Sequence, residues 1–304
     1  MLLQVLGTAA GGGLPQWNCA CPGCTGARAH PERRRRHASL AVRVADGRWY
    51  VVNATPDIGE QIEATPELHP GPGARQTPLA GVVLTDAELD HTLGIARLRE
   101  AHEGVDVLAT PPVLDAVREG LRLDAVLGPY TPVRWRELSG GVGSPLDGRS
   151  SGAAGVSVSA VPLAAKKPRY AANHEDSSDS WSIALRLHEP ATGRTLLYAP
   201  ALAVWSDAFD EAARDADCVF VDGTFWDDEE PLRSGFSTRT ATGMGHLPVN
   251  GPGGTARRLA RLPGRCLYTH LNNTNPLGNP HAEQHKLLAE WGIEVAAERM
   301  VIEL

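Results

Sequence analysis

Thr85-Asp86-Ala87-Glu88-Leu89-Asp90-His91 is the stretch on which the reading of this chain turns. It follows a short apolar run at 79–84, the pattern of a buried strand. After it comes 91–102, whose Leu93, Ile95, Ala96 and Leu98 recur as on a helix packed along one side. A strand giving way to a helix is where α/β proteins place their sites. Four side chains with oxygen or nitrogen donors, Asp86, Glu88, Asp90 and His91, fall within six residues. Helix capping accounts for part of this, because an Asp caps well and acids in a first turn suit the helix dipole. It does not account for His91, since an imidazole sits poorly at a positive helix end.

Outward from this stretch, strand and helix patterns alternate. Residues 2–6 read as a strand ending at Gly7, and 38–44 and 49–53 as a pair joined by a turn at Gly47-Arg48. Residues 105–108, 156–161, 181–187, 195–199, 218–222 and 265–269 read as further strands. Residues 111–120, 201–213, 254–262 and 280–291 read as helices, and 137–155, rich in Gly and Ser, as a loop. Neither a repeat nor a linker is visible. The expectation is one domain over 1–304, of α/β class with sheets inside and helices outside.

Composition narrows the function classes. Of 304 residues 42% are hydrophobic and 21% charged, too apolar for a disordered chain. The 32 glycines and 23 prolines show no collagen period and imply many turns. A net charge of −7 argues against nucleic acid as the main partner, and the four arginines at 33–36 form a single short basic run, read as solvated surface. No apolar run is long enough to span a bilayer. Met1-Leu2-Leu3-Gln4-Val5-Leu6-Gly7 lacks the basic flank and small-residue cleavage site of a secretory signal, so a cytoplasmic chain without membrane contact is expected.

Five cysteines are an odd number for a disulfide framework. Cys19, Cys21 and Cys24 lie within six residues, beside Pro22, Gly23 and Gly26, in a segment without strand or helix pattern. Three thiols at C-x-C-x-x-C spacing can face one point, and a fourth donor would complete a closed tetrahedral zinc site. A structural zinc loop at 17–26 is therefore expected. Its fourth ligand is left open between His30, His37 and a more distant group. Cys218 and Cys266 lie in apolar strands and read as core.

The quoted stretch resembles the H-x-H-x-D-H signature of the metallo-β-lactamase superfamily, with Asp86 and Glu88 in place of the first two histidines and with Asp90 and His91 matching. Val52-Asn53-Ala54-Thr55-Pro56-Asp57 resembles that superfamily's early strand and turn, and Leu267-Tyr268-Thr269-His270 its late histidine strand. More specific is the ordered set formed by Gly7-Thr8-Ala9-Ala10-Gly11-Gly12-Gly13-Leu14-Pro15-Gln16-Trp17-Asn18-Cys19, the cysteine triplet and the altered signature. It continues with Val221-Asp222-Gly223-Thr224-Phe225-Trp226, Gly245-His246-Leu247-Pro248-Val249 and Thr269-His270-Leu271-Asn272-Asn273-Thr274-Asn275-Pro276. Together these are similar to the PqqB family of pyrroloquinoline quinone (PQQ) biosynthesis proteins, over nearly the whole chain. The segment 165–182, with Lys167-Pro168-Arg169-Tyr170 and Asp179-Ser180-Trp181-Ser182, departs from the family's Pro- and Gly-rich pattern and leaves His174 without a role.

The resemblance implies an αββα sandwich of two mixed sheets with helices on the outer faces. Hydrolases of the superfamily use two zinc ions. Carboxylates at 86 and 88 weaken the first ion's site. Asp90, His91 and, if it joins them, His270 remain as two histidines and one carboxylate around one metal, the set that non-haem Fe(II) oxygenases favour. The implied activity is Fe(II)- and O₂-dependent hydroxylation of the tyrosine ring of a Glu-Tyr substrate derived from a peptide. Asp86 and Glu88 would bind water, bridge to the metal or accept a proton from outside its ligands, and His246 would contact or protonate substrate. In some relatives the fourth ligand of the cysteine site follows the late histidine, in a register that falls near Asn273, a poor zinc donor. The resemblance also implies a homodimer supported by the cysteine site. Three other readings stay open: a zinc hydrolase, a soluble carrier of PQQ or its precursor towards the periplasm, and a scaffold with two structural metals. His281 and His285 are read as solvated helix residues, and Asp222, Thr224 and Trp226 as pocket lining or strand-end packing.

Overall fold

A computed structural model describes residues 1–44, 47–141, 143–148 and 155–304. Among these residues fourteen strands form two seven-stranded sheets. The strands are β1 (Leu2–Gly7), β2 (Ser39–Arg43), β3 (Trp49–Val52), β4 (Leu79–Val83), β5 (Val105–Ala109), β6 (Val133–Glu137) and β7 (Ser144–Pro145). They continue as β8 (Ser157–Ala164), β9 (Ser182–Glu189), β10 (Arg194–Ala199), β11 (Cys218–Asp222), β12 (Arg265–Thr269), β13 (Ile293–Val295) and β14 (Val301–Glu303). The first sheet runs β14-β1-β2-β3-β4-β5-β6 and the second β13-β12-β11-β10-β9-β8-β7. Within the first sheet β14, β1, β2 and β3 pair antiparallel, then β3 to β6 pair parallel. The second repeats this pattern, antiparallel from β7 to β10 and parallel from β10 to β13.

Alternation along the strands builds the layers. Tyr50 and Val52 face the second sheet and join Leu3, Val42, Ile183, Tyr198 and Phe220 in the central core. Their neighbours Trp49 and Val51 face outward under Ile58, Ile95, Val113 and Val117. On the far side Leu197, Val219 and Tyr268 pack under Phe209, Ala213, Leu259 and Leu288. Each such side chain contributes about 1.5–3 kcal/mol on burial. The outcome is the expected αββα sandwich, and no helix among the described residues is long and apolar enough to cross a membrane.

Several local expectations change. The helix read over 91–102 is one α-turn, α3 (Leu89–Thr92), after α1 (Pro22–Ala29) and α2 (Ile58–Glu63), and continues as a 3₁₀ stretch over Leu93–Glu100. The helix expected from 201 starts at Asp207, where the Ser206 side chain accepts from Phe209 N. The segment 137–155 holds the end of β6 and all of β7; residues 142 and 149–154 lie outside the described set. Part of the cysteine segment is helical after all. Pro22 fits the first turn of α1 because its missing N–H costs nothing there, and Cys21 Sγ caps the helix by accepting from Cys24 N.

Parallel strands of both sheets end on one rim, and loops stitch that rim together. Ile183 N donates to Thr85 O (2.9 Å), Leu271 N to Thr8 O (2.8 Å) and Ala10 N to Leu271 O (2.9 Å). These bonds bring the ends of β1, β4, β9 and β12 to one place.

Candidate metal centre

At the end of β3, Asn53 adopts φ +65, a left-handed conformation that side-chain amides tolerate better than most. Its amide grips Thr85: Thr85 N donates to Asn53 Oδ1 (3.0 Å) and Asn53 Nδ2 donates to Thr85 Oγ1 (3.0 Å). Thr85 Oγ1 donates in turn to Asp86 Oδ2 (2.8 Å), and Glu88 N to Asp86 Oδ1 (2.9 Å). The fixed Asp86 carboxylate receives His91 Nδ1 at 2.8 Å on both oxygens. Asp86 is thus the partner behind His91. Glu88 presents its N–H to Asp86, and its half-buried carboxylate makes no side-chain bond among the described residues.

His91 Nε2 then points to Asp90 Oδ2 at 3.6 Å, and His270 Nε2 approaches the same oxygen at 3.5 Å. Both Nε2 atoms are buried without a hydrogen-bond partner. Donors about 2.1 Å from one ion stand about 3.0–3.4 Å apart. Two orphaned imidazole nitrogens at nearly this spacing from one carboxylate oxygen therefore fit a metal ion. The loop backbone comes close here: a Cβ on Gly11 would lie 3.2 Å from the Asp90 carboxylate, a tight contact that would press on it. His37 holds that loop, its Nε2 3.2 Å from Gly11 O and its Nδ1 3.0 Å from Asp57 Oδ2. His37 is therefore not a partner of the cysteines, and His30 lies 3.5 Å from Glu32.

His270 has φ +58 at the end of β12, a strained turn of a kind that gathers at functional sites. Its Nδ1 is 2.8 Å from Thr224 Oγ1, which donates to Asp222 Oδ1 at 2.5 Å. Asp222 accepts also from Thr224 N (2.9 Å), Leu202 N (2.8 Å) and His246 Nδ1 (2.7 Å). His246 lies parallel to His270 with ring centroids 5.8 Å apart, and Phe225 meets it edge-on at 6.0 Å. Asp222, His246 and His270 also lie close enough to form a metal-binding group, but four hydrogen bonds already saturate the Asp222 carboxylate. Thr224 and Asp222 are the residues that sequence reasoning left undecided; a hydroxyl two residues past a strand-end acid was the available signal.

Charges follow from these contacts. Burial lowers the pKa of His91, yet the Asp86 and Asp90 carboxylates push it up to about 9. Burial raises Asp90 and Asp86, and the neighbouring imidazoles outweigh it and hold both below the usual carboxylate range. His270 is held below its ordinary value by burial and by the His91 charge. Burial and the Asp86 and Asp90 charges raise Glu88.

The cysteine cluster is a second group suited to an ion. The sulfurs of Cys19, Cys21 and Cys24 lie within 4.8 Å of one another. Asn273 Nδ2 stands 3.3, 3.3 and 3.4 Å from the three, at the position of a fourth ligand. His174 lies away from both groups, edge-on to Trp181. His285 Nε2 reaches Leu277 O, and neither it nor His281 joins a metal-binding group among the described residues.

Comparison with known proteins agrees with this geometry. The profile of the Beta-lactamase superfamily domain matches residues 48–271. Coenzyme PQQ synthesis protein B of Azoarcus sp. (strain BH72) is 40% identical over the full length of both chains. That of Cupriavidus necator is 39% identical over 99% of each. The crystal structure of Zn(2+)-bound PqqB from Methylobacterium extorquens superposes with a TM-score of 0.87 at 31% identity, covering both chains completely. A diphosphatase of the PhnP family, at 18% identity and TM-score 0.68, shares the fold. The chain is a metallo-β-lactamase-fold protein. Within that superfamily it belongs to the family of coenzyme PQQ synthesis protein B.

Proposed function

We propose that this chain acts in PQQ biosynthesis as an iron- and O₂-dependent hydroxylase of the tyrosine ring in a Glu-Tyr precursor. What carries the reading is the pair of orphaned nitrogens, His91 Nε2 and His270 Nε2, facing Asp90 Oδ2. Two histidines and one carboxylate from one side leave coordination positions for a substrate and O₂. Iron bound there would supply the oxidising chemistry. One oxygen atom enters the ring and the other leaves as water, with two electrons from an external reductant.

The protein's own residues do the rest. Asp86 and the Asp222–Thr224 pair keep the outer nitrogens of His91 and His270 protonated, so that their Nε2 lone pairs face inward. His246 gives its Nδ1–H to Asp222, which leaves Nε2 as an acceptor for the proton of a phenol hydroxyl. The Gly11 loop, braced by His37, covers Asp90 and limits water. Cys19, Cys21 and Cys24 hold a structural zinc that clamps the neighbouring loop. In this reading the protein works in the cytoplasm on a small acidic substrate and pairs with a second copy.

A zinc hydrolase is the second reading, favoured by the Zn(2+)-bound relative. Single turnover on anaerobically iron-loaded protein, with a Glu-Tyr substrate and then O₂, separates the two. Ring hydroxylation with matched oxygen uptake supports the hydroxylase. Ester hydrolysis by the zinc form, with no oxygen entering the ring, sinks it.

A further inference from the structure

Arginines 33–36 belong to no part of the metal centre. Leu14 and Arg35 exchange backbone hydrogen bonds (3.0 and 2.8 Å), and Arg36 O accepts from Thr8 N and Ala9 N, so Arg35 and Arg36 are pinned to the neighbouring loop after a 3₁₀ turn over Pro31–Arg33. Together with Arg299 it lines a cavity of about 710 Å³, floored by Leu14 and Pro280. This lies within the range of about 300–1,000 Å³ typical of small-molecule sites.

The five guanidinium groups are poorly compensated. Arg36 pairs with Glu298 at 2.7 Å. Arg35, largely buried, donates only to neutral acceptors, Thr8 Oγ1 at 2.8 Å and Ala296 O at 3.1 Å. Arg34 donates to Ala27 O at 3.2 Å. Arg33 and Arg299 have no side-chain bond among the described residues. The other carboxylate of the lining, Glu32, lies 3.5 Å from His30 Nδ1.

A cavity of about 500 Å³ elsewhere on the molecule shows the alternative. There Arg194 pairs with Asp217, Arg214 with Asp210 at 2.6 Å and Arg265 with Glu294 at 2.7 Å. A chain of net charge −7 has carboxylates to spare, yet it leaves the first cavity with several cations and one ion pair to an arginine. Like charges gathered in one cleft repel, and an anion among them relieves that repulsion.

We propose that this cavity binds a small polycarboxylate, its carboxylates spread over separate guanidinium groups. Planar guanidinium forks match carboxylates two bonds at a time. The overall negative charge opposes a long polyanion. The proposal stands apart from the reading of the metal centre.

Calorimetric titration of the full-length zinc-loaded protein with benzene-1,3,5-tricarboxylate tests it, with isophthalate, benzoate and inorganic phosphate as comparison arms. One site is expected, tightest for the tricarboxylate and weakest for benzoate. The double variant Arg33→Gln/Arg299→Gln removes two guanidinium groups that hold nothing else, and should weaken it by about tenfold or more. Arg265→Gln, in the paired cavity, should leave it unchanged. The tricarboxylate should raise the melting temperature of the wild type more than that of the double variant. Absence of binding, unchanged affinity in the double variant, or phosphate binding as tightly as the tricarboxylate overturns the proposal.

Discussion

Asp86 grips the ring of His91 from behind: both its carboxylate oxygens lie 2.8 Å from His91 Nδ1. The first acid of the signature stretch therefore positions its last residue. A carboxylate behind a ligating histidine fixes the tautomer and strengthens the lone pair on the far nitrogen. Asp86→Ala should weaken metal binding at this centre by about 10–100-fold. It should also destabilise the metal-free protein by about 3–5 kcal/mol, because a buried ion pair loses one member. Glu88→Gln should change metal affinity far less, since no ligand leans on its side chain. Titration of both variants with Zn²⁺ or Co²⁺ checks this ranking; equal losses would remove the special place given to Asp86.

The raised pKa of His91 makes metal binding pH-dependent. In the metal-free protein its ring is cationic below about 9, whereas Asp90 and His270 already stand deprotonated at neutral pH. A metal must displace one proton, from His91 Nε2. Affinity should rise by about tenfold per pH unit up to about pH 9 and then level. For the metal-free fold the sign is opposite. A pKa above the unfolded value of 6.5 adds stability that is complete below 6.5 and lost as pH rises through about 9. Indicator-dye titration near pH 7.5 should show about one proton released per ion at this centre. Release of none, with affinity flat in pH, would count against the pairing of His91 with Asp86.

Thr224 does for His270, by one added step, what Asp86 does for His91. Its hydroxyl donates to Asp222 and so can only accept from His270 Nδ1. Thr224→Val keeps the shape and removes the relay, leaving the His270 tautomer unspecified. Metal affinity should fall by about 10–100-fold, and the visible spectrum of the Co²⁺ form should change, while Thr224→Ser restores both. A valine variant with wild-type affinity and spectrum would make Thr224 a packing residue only.

Much of this was legible in the sequence, for reasons that differ by element. Buried strands such as β4 and β11 are apolar runs bounded by turn residues, and periodicity exposes them. Strands β13 and β14 have three residues each, too few for alternation to register. Val133–Glu137 does alternate, but its arginines disguise an edge strand. Asp90 and His91 stood out because donor types crowd at one strand end, and His270 through the resemblance of Leu267-Tyr268-Thr269-His270 to the superfamily's late strand. The supports behind these residues were legible unevenly: Asp86 and His91 meet across one turn, whereas Asp57 and His37 meet only through the tertiary fold. Pro22 one residue after Cys21 was a readable helix start, obscured by the metal spacing laid over it.

Asn273 supplies the last prediction. It lies three residues beyond His270, and its amide Nδ2 contacts all three cysteine sulfurs at 3.3–3.4 Å. An amide presents donors on one side and an acceptor on the other, and a half-turn exchanges them. With metal-free thiols the N–H side faces sulfur; with zinc on the three thiolates, the oxygen side can turn in as fourth donor. Backbone N–H groups of Gln16 and Cys24 already point at the sulfurs of Cys24 and Cys21 and favour their charged forms, and Cys21 N–H points at Cys19 Sγ. Burial still pushes the Cys24 thiol up to about 11, so zinc must offset the cost of ionising it. Asn273→Ala should therefore release zinc to a chromogenic chelator about 10–100 times more readily, and Asn273→His should hold it more tightly than wild type. If the alanine variant keeps its zinc as firmly as the wild type, water or another group closes the site, and Asn273 merely packs against it.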